Sequence, residues 1–268
     1  MQGSTVRGRS AEGFGRPEGS ANLLPVDNYD LESFGALAAS LDGAHFRYVV
    51  TPNVDQIIRY HEDPQFRQIY ADATYVLLDS RFLARWLAIV RGQRLRVCTG
   101  SDLATYLLER VSGKDDRIVL VGARSAQARR VSAQFGLRDL VHIDPPMGFI
   151  DDSDEVERCL QQIEAASPFR YCFLAVGSPQ QELLAWQLQR RERARGLALC
   201  VGASINFLTG VERRAPRWMQ QAGIEWLFRL LQDPARLARR YLVRGPRIFV
   251  LLPKLRIVLR RQGSSLIS

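Results

Sequence analysis

Short apolar runs alternate with longer amphipathic segments through the middle of this chain, and this order constrains the fold more than any other feature. The short runs have the length of buried strands, and the longer segments have the periodicity of crossover helices. The predicted strands are residues 46–50, 75–78, 118–121, 140–143, 171–176 and 197–201, and the predicted helices are residues 54–70, 80–90, 102–111, 126–135, 154–165 and 180–193. We therefore predict an α/β fold with a doubly wound, mainly parallel sheet.

The last quarter of the chain is strongly basic. Residues 213–261 contain thirteen Arg or Lys against two acids, a net charge of +11, whereas the whole chain carries +9. The basicity is therefore confined to one part of the chain. We place a domain boundary at this shift, with a catalytic domain at residues 25–212 and a basic helical appendage at residues 213–268.

The beginning of the chain has a different composition. Residues 1–24 are rich in Gly, Ser and Arg, and they lack the apolar core of about 7–15 residues that a secretory signal needs. We predict a flexible leader and a cytoplasmic protein. Four scattered cysteines form no Cys-x-x-Cys pair and are predicted to be reduced core thiols. No apolar run is long enough to span a membrane, but contact with a membrane surface stays open.

Small or polar residues follow the predicted strands. They include Thr51 and Asn53, Asp79, Gly177 and Gly202. In an open parallel sheet, ligands bind beyond the carboxyl ends of the strands, and glycines there let the backbone approach a phosphate. The positions suit a nucleotide, although the chain has neither a Gly-x-Gly-x-x-Gly motif nor a P-loop motif.

Asp79 ends an otherwise apolar run. A carboxylate among apolar side chains at the mouth of a sheet suits a general base, because desolvation raises its proton affinity. The alternative is that Asp79 caps the helix that starts at Arg81. Thr51 and Asn53 also have alternatives as turn and cap residues. Gln181 lies in the first turn of a predicted helix, from which it could hydrogen-bond a sugar or a uracil.

The sequence predicts no metal site and no other cofactor. The acidic run of residues 151–155 superficially matches an Asp-x-Asp cation site, but it lies at a predicted helix start, where acids complement the helix dipole. The three histidines are far from any Cys or His at ligand spacing, which argues against zinc.

Arg229, Arg236 and Arg239 are seven and three residues apart, and these intervals place them on one face of an α-helix. Guanidinium groups on one face suit a diphosphate. The alternative is a solvated basic face. Aromatic residues interleaved with the arginines indicate that these helices pack against another surface.

The chain resembles the WecG/TagA/CpsF family of bacterial glycosyltransferases over about residues 49–242. Seven motifs carry the resemblance, in the same order along the chain. They are Thr51-x-Asn53; Asp79; Arg96-Val97-x-x-Gly100-Ser101-Asp102-Leu103; Gly177-x-Pro179-x-Gln181-Glu182; Gly202-Ala203-x-x-x-Phe207-x-x-Gly210; Arg214-Ala215-Pro216-x-Trp218; and Gly223-x-Glu225-Trp226-x-x-Arg229-Leu230.

The resemblance implies a Rossmann-like domain with a helical appendage that completes the active site at the membrane. It also implies a metal-independent, inverting enzyme that moves a hexose-type sugar from a UDP-sugar to a polyprenyl-diphosphate-linked saccharide in bacterial surface or exopolysaccharide synthesis. The expected location is peripheral, on the cytoplasmic leaflet of the inner membrane. Nucleic acid is not an expected partner, and an oligomer is possible.

Residue by residue, the resemblance makes Asp79 the general base and Gln181 a donor-contacting residue. Thr51 and Asn53 would face the base. The three appendage arginines, at 229, 236 and 239, would hold the UDP diphosphate. Two departures, Ser80 for the usual Gly and Ile205-Asn206 for the usual Phe-Asp, line the expected pocket, so the sequence leaves the sugar undefined.

Residues 246–261 mix apolar side chains with spaced cations. Such a segment is attracted to an anionic leaflet, and it is also compatible with a helix packed on the domain.

Two other functions stay open on the residues alone. A basic, aromatic appendage fits a nucleic-acid-binding protein, and the pocket fits a non-catalytic scaffold that binds nucleotide or lipid in a polysaccharide assembly complex.

Overall fold

The computed structural model describes residues 23–260, with the backbone alone for Arg236. Its centre is a six-stranded sheet of order β3-β2-β7-β6-β4-β5, in which every pairing is parallel. The strands are β2 (Phe46–Val50), β3 (Tyr75–Val76), β4 (Ile118–Val121), β5 (Leu140–Ile143), β6 (Tyr171–Leu174) and β7 (Gly196–Cys200), while β1 (Leu23–Val26) and β8 (Arg256–Leu259) form a separate pair. The predicted doubly wound, Rossmann-like α/β fold is confirmed.

Helices cover both faces of the sheet. The described helices of the catalytic part are α1 (Leu31–Ser40), α2 (Val54–Glu62), α3 (Pro64–Asp72), α4 (Arg81–Arg91), α5 (Gly100–Tyr106, continued by a π-helical turn at Leu107–Val111), α6 (Ser125–Phe135), α7 (Ser153–Ala165), α8 (Gln180–Arg191) and α9 (Ser204–Leu208). One apolar core contains Val50 with Ile57 of α2, and the other contains Val49 with Ile205 of α9. Since successive side chains of a strand point to opposite faces, α2 and α9 lie on opposite sides of the sheet.

The predicted helix at residues 54–70 is two helices. Proline at position 64 lacks a backbone N–H, so it cannot continue α2 but can start α3. Asp63 stands between the two helices, and its side chain accepts hydrogen bonds from the N–H groups of Gln65 and Phe66, at 2.9 and 3.3 Å. Helix α1 and strands β1 and β8 were not predicted.

The basic appendage consists of α10 (Arg217–Ala222), α11 (Glu225–Gln232), α12 (Pro234–Ala238), a π-helical turn (Arg239–Arg244), α13 (Arg247–Leu251) and β8. The predicted basic appendage is helical as far as Leu251, and its described part finishes with a strand that was not predicted. Strand β8 pairs in parallel with β1 from Leu23↔Arg256 to Val26↔Leu259. The last two residues of the predicted leader, Leu23 and Leu24, thus belong to β1, and residues 1–22 lie outside the described part.

The segment that begins at residue 246 was predicted either to bind a membrane or to pack as core. It has both buried and exposed apolar side chains. Ile248, Leu252, Leu255 and Ile257 are buried in the main core. Phe249, Val250, Val258 and Leu259 are exposed. The buried side shows that this segment is part of the folded domain, because its removal would uncover a face of the core.

We predict that Leu255→Ala lowers the free energy of unfolding by about 2–5 kcal/mol, the cost of a cavity at a fully buried leucine. Leu255 is 0% exposed. Val258→Ala is the matched control in β8, since an exposed side chain contributes within about 0.5 kcal/mol. Denaturant unfolding of the full chain measures both. Equal stabilities would contradict the assignment of Leu255 to the core.

Candidate active site

A cavity of about 650 Å³ lies at the carboxyl ends of β2, β3, β6 and β7. Its floor includes Thr51, Asp79, Gly177 and Gly202, the residues that follow these strands. Helices α10 to α13 and the π-helical turn contribute its outer wall. The size falls within the range of about 300–1,000 Å³ that small-molecule sites occupy.

Seven of the residues predicted from sequence line this cavity. They are Thr51, Asn53, Asp79, Gly177, Gln181, Gly202 and Arg229. Two others do not line it, namely Asn206 and Arg239. The side chain of Arg236 lies outside the described residues, so its predicted role stays a prediction.

Asp79 is not the cap of the next helix. The hydroxyl of Ser80 fills that role by accepting a hydrogen bond from the Leu83 N–H at 3.2 Å. Asp79 instead lines the cavity, and its Oδ2 accepts a hydrogen bond from the Gly100 N–H at 3.1 Å. Burial raises the pKa of Asp79 to about 6, with the nearby Glu225 and Asp102 carboxylates adding to the shift and the Gly100 hydrogen bond opposing it. A carboxylate with this pKa can accept a proton at neutral pH.

An ion cluster fixes the loop that touches Asp79. Asp102 accepts hydrogen bonds from Thr99 at 2.8 Å and from Arg81 at 3.2 Å, and it also pairs with Arg214 of the appendage. Although burial opposes it, the two arginines and Thr99 hold the pKa of Asp102 below its usual range. The cluster therefore joins the appendage to the start of α5, beside the candidate base. Asp102 and Arg214 stand in the sequence motifs, but no role was predicted for them.

Behind the cavity floor lies a buried hydrogen-bond network that sequence reasoning missed. Its hub is Glu182, which is 0% exposed. Glu182 Oε1 accepts from Gln56 Nε2 at 2.8 Å and from Gln181 Nε2 at 2.9 Å. Burial raises the pKa of Glu182, and these two amide donors oppose the rise.

The network reaches two cavity residues. Gln181 Oε1 accepts from the Gly202 N–H at 2.7 Å, and Gln56 Oε1 accepts from the Asn53 N–H at 2.9 Å. The carbonyl of Gln181 is thus committed to the protein. Asn53 caps α2 by accepting from the Gln56 and Asp55 N–H groups, so the cap alternative for Asn53 is correct and Asn53 also lines the cavity.

Arg229 enters the cavity from α11. Its guanidinium carbon lies 5.3 Å from the centre of the Phe207 ring, and its NH2 atom lies 3.6 Å from Glu212 Oε2. Asn206 Nδ2 donates to Glu212 Oε1 at 3.1 Å. The prediction that Asn206 faces the pocket is wrong because its side chain supports Glu212, which in turn pairs with Arg229.

Arg240, rather than Arg239, enters the cavity. The chain passes from α-helical to π-helical hydrogen bonding at Arg239, and the Gly245 N–H donates to the Arg240 carbonyl five residues back. Helix α11 ends at Gln232 and α12 begins at Pro234, with a non-helical Asp233 between them, so the seven-and-three spacing does not place Arg239 on the face of Arg229. Arg239 is exposed, while Arg240 NH2 lies 3.5 Å from Asn53 Oδ1.

The acidic run at residues 151–155 is a helix start. Asp152 caps α7 by accepting from the N–H groups of Asp154 and Glu155, at 2.9 and 3.3 Å. Among residues 23–260, no three His, Cys, Asp or Glu side chains are grouped so that they could hold a metal ion. Within the same residues, no helix combines the length and apolar character that crossing a membrane requires.

Comparison with protein families identifies the chain. The family described as "Glycosyl transferase WecG/TagA/CpsF family" matches residues 21–262 of the 268 residues. The chain therefore belongs to this family of glycosyltransferases, and the resemblance seen in the sequence motifs is confirmed. Membership implies a sugar donor and an acceptor, and the cavity at the strand ends is the candidate place for them.

We predict that Glu182→Leu lowers the free energy of unfolding by about 1–3 kcal/mol for each amide donor left without an acceptor, those of Gln56 and Gln181. Glu182→Gln keeps an oxygen at Oε1 and should retain most of the stability. Urea unfolding of both variants measures the difference. Indistinguishable midpoints for the two would show that the carboxyl oxygen does not hold the network together.

Proposed function

We propose that this family member transfers a hexose-type sugar from a UDP-sugar to a polyprenyl-diphosphate-linked saccharide, with inversion and without a metal ion, in bacterial surface or exopolysaccharide synthesis. The observation that carries the proposal is Asp79, a carboxylate with a raised pKa in a cavity that also receives arginines from the appendage. The cavity thus combines a proton acceptor with fixed positive charge.

In the proposed reaction, Asp79 takes the proton from a hydroxyl group of the acceptor saccharide. The hydroxyl oxygen forms a bond to the anomeric carbon of the donor sugar while the bond from that carbon to the β-phosphate oxygen of UDP breaks. A single displacement of this kind inverts the anomeric carbon. The electron pair leaves with UDP, whose diphosphate gains negative charge.

Arg229 is proposed to stabilise the departing diphosphate. A fixed guanidinium beside a developing anion lowers the energy of the transition state, which is the role that a metal ion has in other transferases. The cation–π contact with Phe207 and the ion pair with Glu212 hold Arg229 toward the cavity before substrate binds. Gly177 and Gly202 are proposed to let the donor approach the backbone, Thr51 to contact it through its hydroxyl, and Gln181 through the side-chain N–H that is not bonded to Glu182.

The proposed location is the cytoplasmic leaflet of the inner membrane. Large apolar side chains of the appendage are exposed next to its cations, as a surface that contacts lipid headgroups and acyl chains requires. These exposed residues are Trp218, Trp226, Leu227, Leu231, Leu242, Val243, Phe249 and Val250. A lipid-linked acceptor also requires that the enzyme work at the bilayer.

We predict that Asp79→Asn lowers turnover by about 10²–10⁴ and leaves affinity for the UDP-sugar little changed, because the amide keeps the shape but accepts no proton. With a base of pKa about 6, the wild-type kcat/KM should fall about tenfold for each pH unit below that value and level off above it. A pH-rate profile with a short-chain lipid-diphosphate acceptor and a panel of UDP-sugars measures this.

Unfolding measurements separate loss of the base from loss of the fold. The raised pKa means that ionised Asp79 disfavours the folded state at pH 7, so Asp79→Asn should unfold at the same or a higher temperature. Excess EDTA should leave the wild-type rate unchanged. Wild-type turnover in Asp79→Asn would remove the base assignment, and binding of UDP without transfer from any UDP-sugar would favour a scaffold.

We predict that Arg229→Ala raises the free energy of the transition state by about 1.5–3 kcal/mol, the scale of a hydrogen bond to a charged group. Arg229→Lys should recover part of this loss, because a point charge cannot reproduce the two-pronged guanidinium. The comparison of kcat/KM among the three proteins is the measurement. Unchanged kinetics in both variants would indicate a solvated basic side chain with no part in transfer.

A further inference from the structure

Two arginines of the appendage line the cavity, each beside a different helix of the catalytic part. Arg229 lies against Phe207 of α9, and α9 packs in the core that contains Ile205. Arg240 lies against Asn53, at the start of α2, whose Ile57 packs in the other core. The two arginines therefore contact different helices of the catalytic part.

The surroundings of Arg240 leave its guanidinium only loosely paired. Arg240 Nε lies 3.5 Å from Asp55 Oδ2, and Arg244 NH1 lies 3.7 Å from Asp55 Oδ1. Arg240 Nε is buried and has no hydrogen-bond partner within the described part of the chain. Arg244 NH2 also lies 3.5 Å from Glu62 Oε2, and Glu62 pairs with Arg247 at 2.7 Å, so three arginines share two carboxylates and excess positive charge remains. An anion with several oxygens could accept the hydrogen bonds that Asp55 does not.

Apolar side chains flank this arginine. Leu242 and Val243 follow it in the π-helical turn and are 58% and 67% exposed, and Phe249 and Val250 of α13 are 61% and 69% exposed. Leu242 and Phe249 also line the cavity. A ligand with an anionic group next to a hydrocarbon chain matches this combination, and a UDP-sugar has no hydrocarbon chain.

We propose that Arg240, supported by Arg244, forms a second diphosphate subsite, which binds the diphosphate of the lipid-linked acceptor, while Arg229 serves the diphosphate of the sugar donor. The inference rests on the proposed function and adds to it the division of the cavity between the two substrates. In the acceptor, the first sugar is bonded directly to the diphosphate. An acceptor diphosphate at Arg240 therefore brings a sugar hydroxyl into the same cavity as Asp79.

The test compares Arg240→Ala and Arg240→Lys with Arg239→Ala, a matched control that removes an exposed cation from the adjacent position. The assay uses the full chain and a water-soluble, short-chain isoprenyl-diphosphate saccharide without vesicles. Arg240→Ala should raise the KM for this acceptor about tenfold or more, the scale of a lost hydrogen bond to a charged group, and change the Kd for UDP less than twofold. Arg240→Lys should give an intermediate KM, and Arg239→Ala a wild-type value.

Arg229→Ala supplies the opposite pattern, with a weaker Kd for UDP and little change in acceptor KM. An acceptor KM unchanged by Arg240→Ala would overturn the proposal, and so would a loss of UDP affinity as large as that of Arg229→Ala. If wild-type protein transfers no sugar, the proposed function fails. Direct binding of the isoprenyl diphosphate then tests the subsite. Binding that Arg240→Ala weakens and Arg239→Ala leaves unchanged supports the subsite, and equal binding by all variants overturns it.

Anionic phospholipid is the other source of phosphate groups, and vesicles of phosphatidylglycerol distinguish it. With a specific subsite, Arg240→Ala and Arg239→Ala should lower vesicle binding by similar amounts, since each removes one surface charge. An effect of Arg240→Ala on vesicle binding alone, with normal KM for the soluble acceptor, would overturn the proposal. Equal thermal unfolding midpoints of Arg240→Lys and wild type exclude misfolding as the cause of a raised KM.

Discussion

All six strands of the central sheet run in the same direction, and this constraint determines where chemistry can occur. The carboxyl ends of β2, β3, β6 and β7 meet at one edge, so residues that are distant in sequence share a cavity. Contacts across the edge hold these ends together, with Thr51 Oγ1 donating to the Cys200 carbonyl at 3.2 Å and the Asp79 N–H donating to the Pro52 carbonyl at 3.0 Å. Gly100 fits this edge because an added Cβ would lie 3.0 Å from Thr51 Oγ1.

The fully buried Glu182 and the partly buried Asp79 meet the cost of desolvation differently. Glu182 receives two amide hydrogen bonds on one oxygen, and its role is to hold its neighbours in place. Asp79 receives one backbone N–H, and the carboxylates of Glu225 and Asp102 raise its pKa further, although Arg81 opposes them. A carboxylate left in this state destabilises the folded protein at neutral pH and is for the same reason ready to take a proton.

The pattern of apolar residues was sufficient to predict the sheet, because buried parallel strands are short continuous apolar runs. Strands β4 and β5 begin and end at the predicted residues. The role of Asp79 could not be decided from sequence, since Asp and Ser are both good caps and only the Ser80 hydrogen bond distinguishes them. The Glu182 network escaped prediction because Gln56 and Glu182 are 126 residues apart. Arg239 was predicted instead of Arg240 because the spacing argument assumed one continuous α-helix, whereas the helix is interrupted at Asp233.

The appendage is most firmly held at its two ends. Near its start, Arg214 pairs with Asp102 and Ala215 is buried; near its end, β8 pairs with β1 and Arg91 donates to the Leu252 and Pro253 carbonyls. Between Glu225 and Arg244, the only buried side chains among the described residues are Leu230 and Leu237, and both keep some exposure, at 9% and 5%. Displacing this middle stretch therefore costs less apolar contact than displacing either end. It carries both cavity arginines, and in the proposed mechanism their loose pairs with protein carboxylates are replaced by contacts with phosphate oxygens.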